Sequence, residues 1–123
     1  MVVVDSLRGP YHRGDLIVFA FRGPAVAAGR PGLNGQALLK YVAGVAGDAI
    51  TVNGREVFVN GVSVGVARDR DRNRRSLDPI TPVTIPQGKL YVMGTSPTSF
   101  DSRYSATGLV DERDVLARVR PLF

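Results

Sequence analysis

Ala49-Ile50-Thr51-Val52-Asn53-Gly54-Arg55-Glu56-Val57-Phe58-Val59-Asn60-Gly61-Val62-Ser63-Val64-Gly65-Val66 is the stretch that decides the fold class. Its β-branched runs are separated by two Asn-Gly dipeptides, and Asn-Gly readily adopts the positive φ angles that a tight hairpin turn needs. Strands joined by short hairpins are therefore expected from residue 49 to residue 66.

The flanks read in the same way. Val2-Val3-Val4 suits a short strand, broken by Asp5-Ser6-Leu7-Arg8-Gly9-Pro10, so Ser6 falls where a strand ends. Arg13-Gly14-Asp15 signals a turn before Leu16-Ile17-Val18-Phe19-Ala20-Phe21, a nearly continuous apolar run of strand length that predicts burial on both faces. Residues 22–36, rich in Gly, Pro, Ala and Arg, read as a loop. Downstream, residues 68–75 alternate Arg and Asp and finish basic, the composition of a solvated loop. Three prolines between residues 79 and 86 predict an extended connection. Lys89-Leu90-Tyr91-Val92-Met93 reads as a strand, residues 94–108 as a segment too polar for core, and residues 115–119 as a half-exposed closing strand. No repeat, heptad or long amphipathic helix interrupts the pattern. The fold class is mainly β, with short strands and Gly/Pro turns arranged as a sandwich or a partly open barrel.

A length of 123 residues suits one compact domain, expected to span 1–123. The formal net charge of +5 permits contact with anionic surfaces without specifying one. With no cysteine and a single histidine, His12, the chain has no disulfide framework, no thiolate or His-rich metal site and no cysteine nucleophile, so no cofactor or metal is expected. No apolar run approaches the roughly 20 residues of a spanning helix. The abrupt start at Met1-Val2-Val3-Val4 reads like the beginning of a buried strand, and it leaves open a segment upstream of this sequence.

One lysine needs explaining. Leu38-Leu39-Lys40-Tyr41-Val42-Ala43-Gly44-Val45-Ala46-Gly47-Asp48 sets Lys40 inside an apolar run that ends in a Gly-Asp turn. Two readings are open. Lys40 either lies near a strand end with its methylenes on apolar surface and its head in water, or is desolvated among Leu38, Leu39, Val42 and Val45, which lowers its pKa and makes it a general base for a serine hydroxyl. His12, with Ser6 and Asp15, supplies the residue types of a Ser-His-Asp set, but it sits between two turn signals that favour a solvated side chain.

Four ordered blocks resemble the type I signal peptidase family and, within it, the shorter conjugative-transfer (TraF-type) signal peptidases. Ser6, eight positions before the glycine of Arg13-Gly14-Asp15-Leu16-Ile17-Val18, resembles the nucleophile block and the strand after it. Lys40-Tyr41-Val42-Ala43-Gly44-Val45-Ala46-Gly47-Asp48 resembles the general-base block. Ile85-Pro86-Gln87-Gly88-Lys89-Leu90-Tyr91-Val92-Met93-Gly94 and Ser99-Phe100-Asp101-Ser102-Arg103-Tyr104, with Gly108 beyond, are similar to the last block and its approach.

The resemblance implies antiparallel coiled sheets of the signal peptidase type with a minimal insertion. It implies Ser6 as nucleophile, with its own N–H as an oxyanion donor, Lys40 as general base, Ser99 as the hydroxyl that orients the lysine, and Asp101 with Arg103 as a structural ion pair beside the site. Asp101 should then point away from Lys40, because a carboxylate in contact would restore the lysine's charge. The chain departs from the family at Val4, which offers no side-chain donor where the family has a second oxyanion hydroxyl, at Leu7 in place of methionine, and at Pro10, one place late. The implied activity is cleavage of exported precursor proteins, signal peptides or a conjugative pilin, after small residues. The implied location is the inner (cytoplasmic) membrane, with the catalytic domain on its outer face and in contact with the membrane surface. The alternative is a catalytically degenerate β domain that binds nucleic acid, lipid or a partner protein. No aromatic residue interrupts the basic run of residues 68–75, which argues against a nucleic-acid groove.

Overall fold

The computed structural model describes residues 9–22, 35–71, 74–96 and 99–120, together with the backbone of 2–6 and 121. The strands β1 (Val2–Ser6), β2 (Leu16–Ala20), β3 (Ala37–Gly44), β8 (Lys89–Met93), β9 (Val110–Asp111) and β10 (Val115–Pro121) form one sheet in the order β1-β10-β2-β3-β8-β9. A second sheet has the order β6-β5-β4-β7, from β4 (Ala49–Asn53), β5 (Glu56–Val59), β6 (Val62–Val66) and β7 (Val83–Thr84). Every strand pair is antiparallel, and the sheets do not close into a barrel. Among the described residues the only helical element is one 3-10 turn, Glu112–Asp114.

The second sheet follows the turn chemistry of its sequence. Asn53 pairs with Glu56 around Gly54-Arg55, and Val59 pairs with Val62 around Asn60-Gly61, where Asn60 at φ 50° and Gly61 at φ 80° both adopt the left-handed conformation. Asn60 also works as a brace. Its Oδ1 accepts the Ala49 N–H at 2.7 Å, and its Nδ2 donates to Asp48 Oδ1 at 2.9 Å. Asp48 further accepts Arg13 Nη2 and Nε at 2.8 and 3.0 Å and the Val45 N–H at 2.9 Å. The Arg13 guanidinium leads these donors in holding the Asp48 carboxyl down at about 2, against the opposing effect of burial. One carboxylate thus joins the turn before β2, the β3–β4 connection and the β5–β6 hairpin.

Two apolar clusters meet on β3 and β8. Ile17, Phe19, Phe21, Val42, Leu90 and Val92 belong to the first, and Ile50, Val57, Val59, Ile80, Ile85 and Tyr91 to the second. Leu90 and Val92 alternate with Tyr91 along β8, so both faces of that strand are buried. The apolar run of β2 is buried as its continuity predicts. Exposed Arg68, Arg70, Arg74 and Arg75 agree with a solvated loop, and the isolated Arg70–Ser76 bridge closes its base. Residues 23–34 of the predicted loop, with Leu7, lie outside the described residues.

Two expectations change. Residues 94–108 read as too polar for core, yet Asp101, Ser102, Arg103 and Thr107 are all at most 3% exposed: Asp101 and Arg103 satisfy each other and nearby backbone, Ser102 bonds the backbone of Val92 and Gly108, and the Thr107 hydroxyl has no partner among the described residues. The apolar run around Lys40 is two-sided, not wholly buried: Leu39 and Tyr41 are 50% and 39% exposed on the face opposite Lys40.

Candidate active site

Lys40 shares its face of β3 with Leu38, which packs against the first apolar cluster, and with Val42, which lies inside it. The side chain is half-buried, less than the sequence suggests. Burial lowers its pKa, Asp101 opposes that shift, and Arg103 adds to it. Among the described residues Lys40 forms no ion pair with a carboxylate, so the desolvated amine is not recharged by a direct partner.

Gly94 gives the amine its place. The β3–β8 register pairs Tyr41 with Met93, so Gly94 follows next in line with Lys40. A β-carbon added at Gly94 would stand 3.1 Å from Lys40 Nζ and 2.5 Å from Ser99 Cβ, and would collide with Ser99 Oγ. The amine and the Ser99 hydroxyl therefore converge over Gly94, which has no side chain to keep them apart. Sequence alone gives Gly94 no task; its one local signal is a glycine placed immediately after the strand Lys89–Met93.

The segment that carries Ser99 is fixed from beneath by the Asp101–Arg103 pair. Arg103 Nε donates to Asp101 Oδ1 at 2.9 Å and Nη2 to Oδ2 at 3.2 Å, with the side chains 3% and 0% exposed. Nη2 also donates to the Ser99 carbonyl at 3.0 Å, and Asp101 Oδ2 accepts the Gly94 N–H at 3.1 Å. The pair thus grips both Ser99 and Gly94. It is a buried pair, not a surface one, and its carboxylate is spent on Arg103 and backbone N–H groups instead of on Lys40. Ser99 Oγ accepts the Ser96 N–H at 3.3 Å, which closes the turn on the other side.

Ser6 ends β1 opposite Arg118 of β10, which pairs with Ile17 of β2, which pairs with Lys40. Ser6, Arg118, Ile17 and Lys40 therefore occupy one row across four adjacent strands. Strands lie about 4.7–4.9 Å apart, so the row separates Ser6 from Lys40 by three such steps, and bending of the intervening strands is needed to shorten the path. Register shifts at Val4/Ser6 and at Val115/Ala117 are the kind of irregularity that bends a strand. The Ser6 side chain, and with it the hydroxyl-to-amine distance, lies outside the described residues. His12 is exposed, and its Nδ1 stands 3.8 Å from Asp15 Oδ2.

Among the described residues no three His, Asp or Glu side chains gather as a metal site, and no helix is long and apolar enough to cross a membrane.

The sequence profile described as "Signal peptidase, peptidase S26" matches residues 1–123. Among solved structures, the chain is similar to a signal peptidase I from Enterococcus faecalis V583, with 25% identity, a TM-score of 0.51, and coverage of 92% of this chain and 98% of that one. No curated protein sequence matches significantly.

Proposed function

The chain belongs to the signal peptidase family, peptidase S26, a family of membrane-associated serine peptidases that act on precursor proteins, and from that premise we propose that it cleaves exported precursors with a Ser6–Lys40 dyad. The observation that carries the proposal is the convergence of the Lys40 amine and the Ser99 hydroxyl over Gly94, in a place where burial favours the neutral amine. In this reading Lys40 takes the Ser6 proton as the Ser6 oxygen attacks the carbonyl before the cut. It returns that proton to the departing amine, and then activates the water that hydrolyses the acyl-enzyme. The Ser6 N–H serves the oxyanion, and Ser99 orients the base.

The substrate is an exported precursor or a conjugative pilin with small residues before the cut, as expected of a TraF-type enzyme at the outer face of the cytoplasmic membrane. Exposed Leu39, Tyr41 and Leu116 on the first sheet, together with exposed Pro10, support contact with a bilayer surface. A second reading, a degenerate domain that holds an anionic surface, draws on exposed Arg68, Arg70 and Arg74.

A cleavage assay with lipid present, on a precursor peptide carrying alanine at the two specificity positions, tests the proposal. Ser6→Ala and Lys40→Arg should each cost at least about 10³-fold in kcat, because nucleophile and base act as a unit and arginine keeps its proton. Ser99→Ala should cost less. The neutral amine is the active form, so the rate should rise with pH through the lysine's folded pKa, at a midpoint below its ordinary 10.5. Full activity in Lys40→Arg would sink the dyad, and a folded parent chain that cuts nothing would favour the anion-binding reading.

A further inference from the structure

We propose that Arg118 is a positioning residue: it clamps the exit of the Ser6 strand to the entry of β2, and so fixes the nucleophile relative to the base. The role rests on the Ser6–Lys40 reading. The geometrical need for it is plain from the topology, since two strands, β10 and β2, stand between Ser6 and Lys40. Small shifts of one strand against another change the attack geometry, and a misplacement of about 1 Å can cost on the order of 10²-fold in rate.

Arg118 sits opposite Ser6 in the register. Its Nη1 donates to the Pro10 carbonyl at 2.9 Å and lies 3.5 Å from Asp15 Oδ2. Pro10 lies on the path that leaves Ser6, and Asp15 immediately precedes β2. Asp15 is itself tied to the base strand: its carbonyl accepts the Val42 N–H at 2.8 Å, and the Gly14 N–H donates to the Val42 carbonyl at 2.7 Å. Val42 is two residues from Lys40 and on the same face of β3. The Asp15 carboxylate also accepts the His12 N–H at 2.8 Å, which keeps the turn between Pro10 and Asp15 closed. A continuous series of contacts therefore runs from Pro10 through Arg118 and Asp15 to Val42.

The test uses the full chain with the cleavage assay above and backbone amide exchange in parallel. Arg118→Ala should lower kcat by about 10–100-fold with KM changed less than about 3-fold and the pH midpoint unmoved, as expected for lost orientation with an intact base. Arg118→Lys keeps a charged donor at the same position of the strand and should restore part of the rate. Asp15→Asn keeps an acceptor for His12 but loses the charge, and should cost about 3–10-fold. Arg120→Ala removes an exposed cation from the same strand and should change nothing. Exchange at His12, Gly14 and Val42 should quicken in Arg118→Ala, while Val57 and Val59 in the second sheet stay protected. If Arg118→Ala fails to fold, Arg118→Lys and Asp15→Asn carry the decision. Unchanged kcat, a loss confined to KM, a moved pH midpoint or unaltered exchange would each overturn the role. A folded parent that cuts nothing would defeat the peptidase reading and the positioning role with it. That outcome is distinguishable from failure of the clamp alone, in which the parent cuts normally and exchange in Arg118→Ala does not change.

Discussion

The hairpin sheet β4–β7 and the segment of residues 94–108 are ordered by opposite means. In the hairpin sheet each turn is answered locally: Asn60 and Gly61 take the turn geometry themselves, and Val59 and Val62 pair across it. In residues 94–108 order comes from polar groups that complete one another. Arg103 reaches Asp101 and the carbonyls of Ser96, Ser99 and Val66, while Asp101 holds the Gly94 N–H. Loss of the backbone freedom of Gly61 leaves its neighbours' hydrogen bonds in place, whereas loss of one network member leaves the others buried and unpaired. The candidate site is built on the second kind of order, and that gives a way to separate the two regions by mutation.

The largest expected effect lies in the network. Arg103→Ala strands the Asp101 carboxylate at 0% exposure, and breaking a buried pair from one side costs about 3–5 kcal/mol. Urea unfolding should show that loss; a change below about 1 kcal/mol would mean that the segment is held by something else and would erase the contrast.

Gly94→Ala comes next. Its β-carbon meets Ser99 and stands 3.1 Å from Lys40 Nζ, so one methyl group overpacks the place where the proposed base and its proposed orienting hydroxyl converge. Overpacking typically costs about 1–3 kcal/mol, but the rate should fall further than the stability, by about 10²-fold. Matched unfolding and cleavage measurements would separate the two losses. Gly61→Ala is the counterpart in the hairpin sheet. It forces a β-carbon into φ 80° at about 1–2 kcal/mol, and it should leave the cleavage rate per folded molecule untouched. A rate loss in Gly61→Ala equal to that in Gly94→Ala would break the separation between the regions.

The same contrast explains what was legible in the sequence. Asn53-Gly54, Asn60-Gly61 and the apolar runs of β2 and β8 announce themselves through local turn chemistry and periodicity, and the mainly β fold follows from them. Lys40 stood out because a cation interrupts an apolar run, and Ser99, Asp101 and Arg103 entered through the resemblance of ordered blocks. The burial of Asp101, Ser102 and Arg103 was not legible, because Asp, Ser and Arg look solvated until their partners are known, and the turns that bring Gly94, Ser99 and Gly108 onto them, with Val66 and Val92 from other strands, are set by the folded chain. The exposure of Leu39 and Tyr41 was hidden for the converse reason: an apolar run does not say which of its two faces the rest of the chain covers. The seat that Gly94 provides and the clamp at Arg118 depend on register across strands, which no local window contains.

The smallest effect separates two hydroxyls on either side of β8. Ser102 Oγ accepts the Val92 N–H at 2.9 Å and donates to the Gly108 carbonyl at 2.8 Å, so it belongs to the network. Tyr91 is fully buried in the second apolar cluster, and its hydroxyl has no hydrogen-bond partner among the described residues. Burial, with the charge of Asp101 next, raises the Tyr91 pKa, so the phenol stays neutral at any working pH. A neutral hydroxyl without a partner contributes ring packing but no bond. Tyr91→Phe keeps the ring and removes an unsatisfied group, so stability should be unchanged or higher by up to about 1 kcal/mol, whereas Ser102→Ala leaves the buried Val92 N–H unpaired and should cost about 1–3 kcal/mol. Urea unfolding of the two variants side by side decides the matter. A loss above about 1 kcal/mol in Tyr91→Phe would mean that this hydroxyl makes a hydrogen bond after all, and the boundary of the polar network would then have to be extended across β8 into the core of the hairpin sheet.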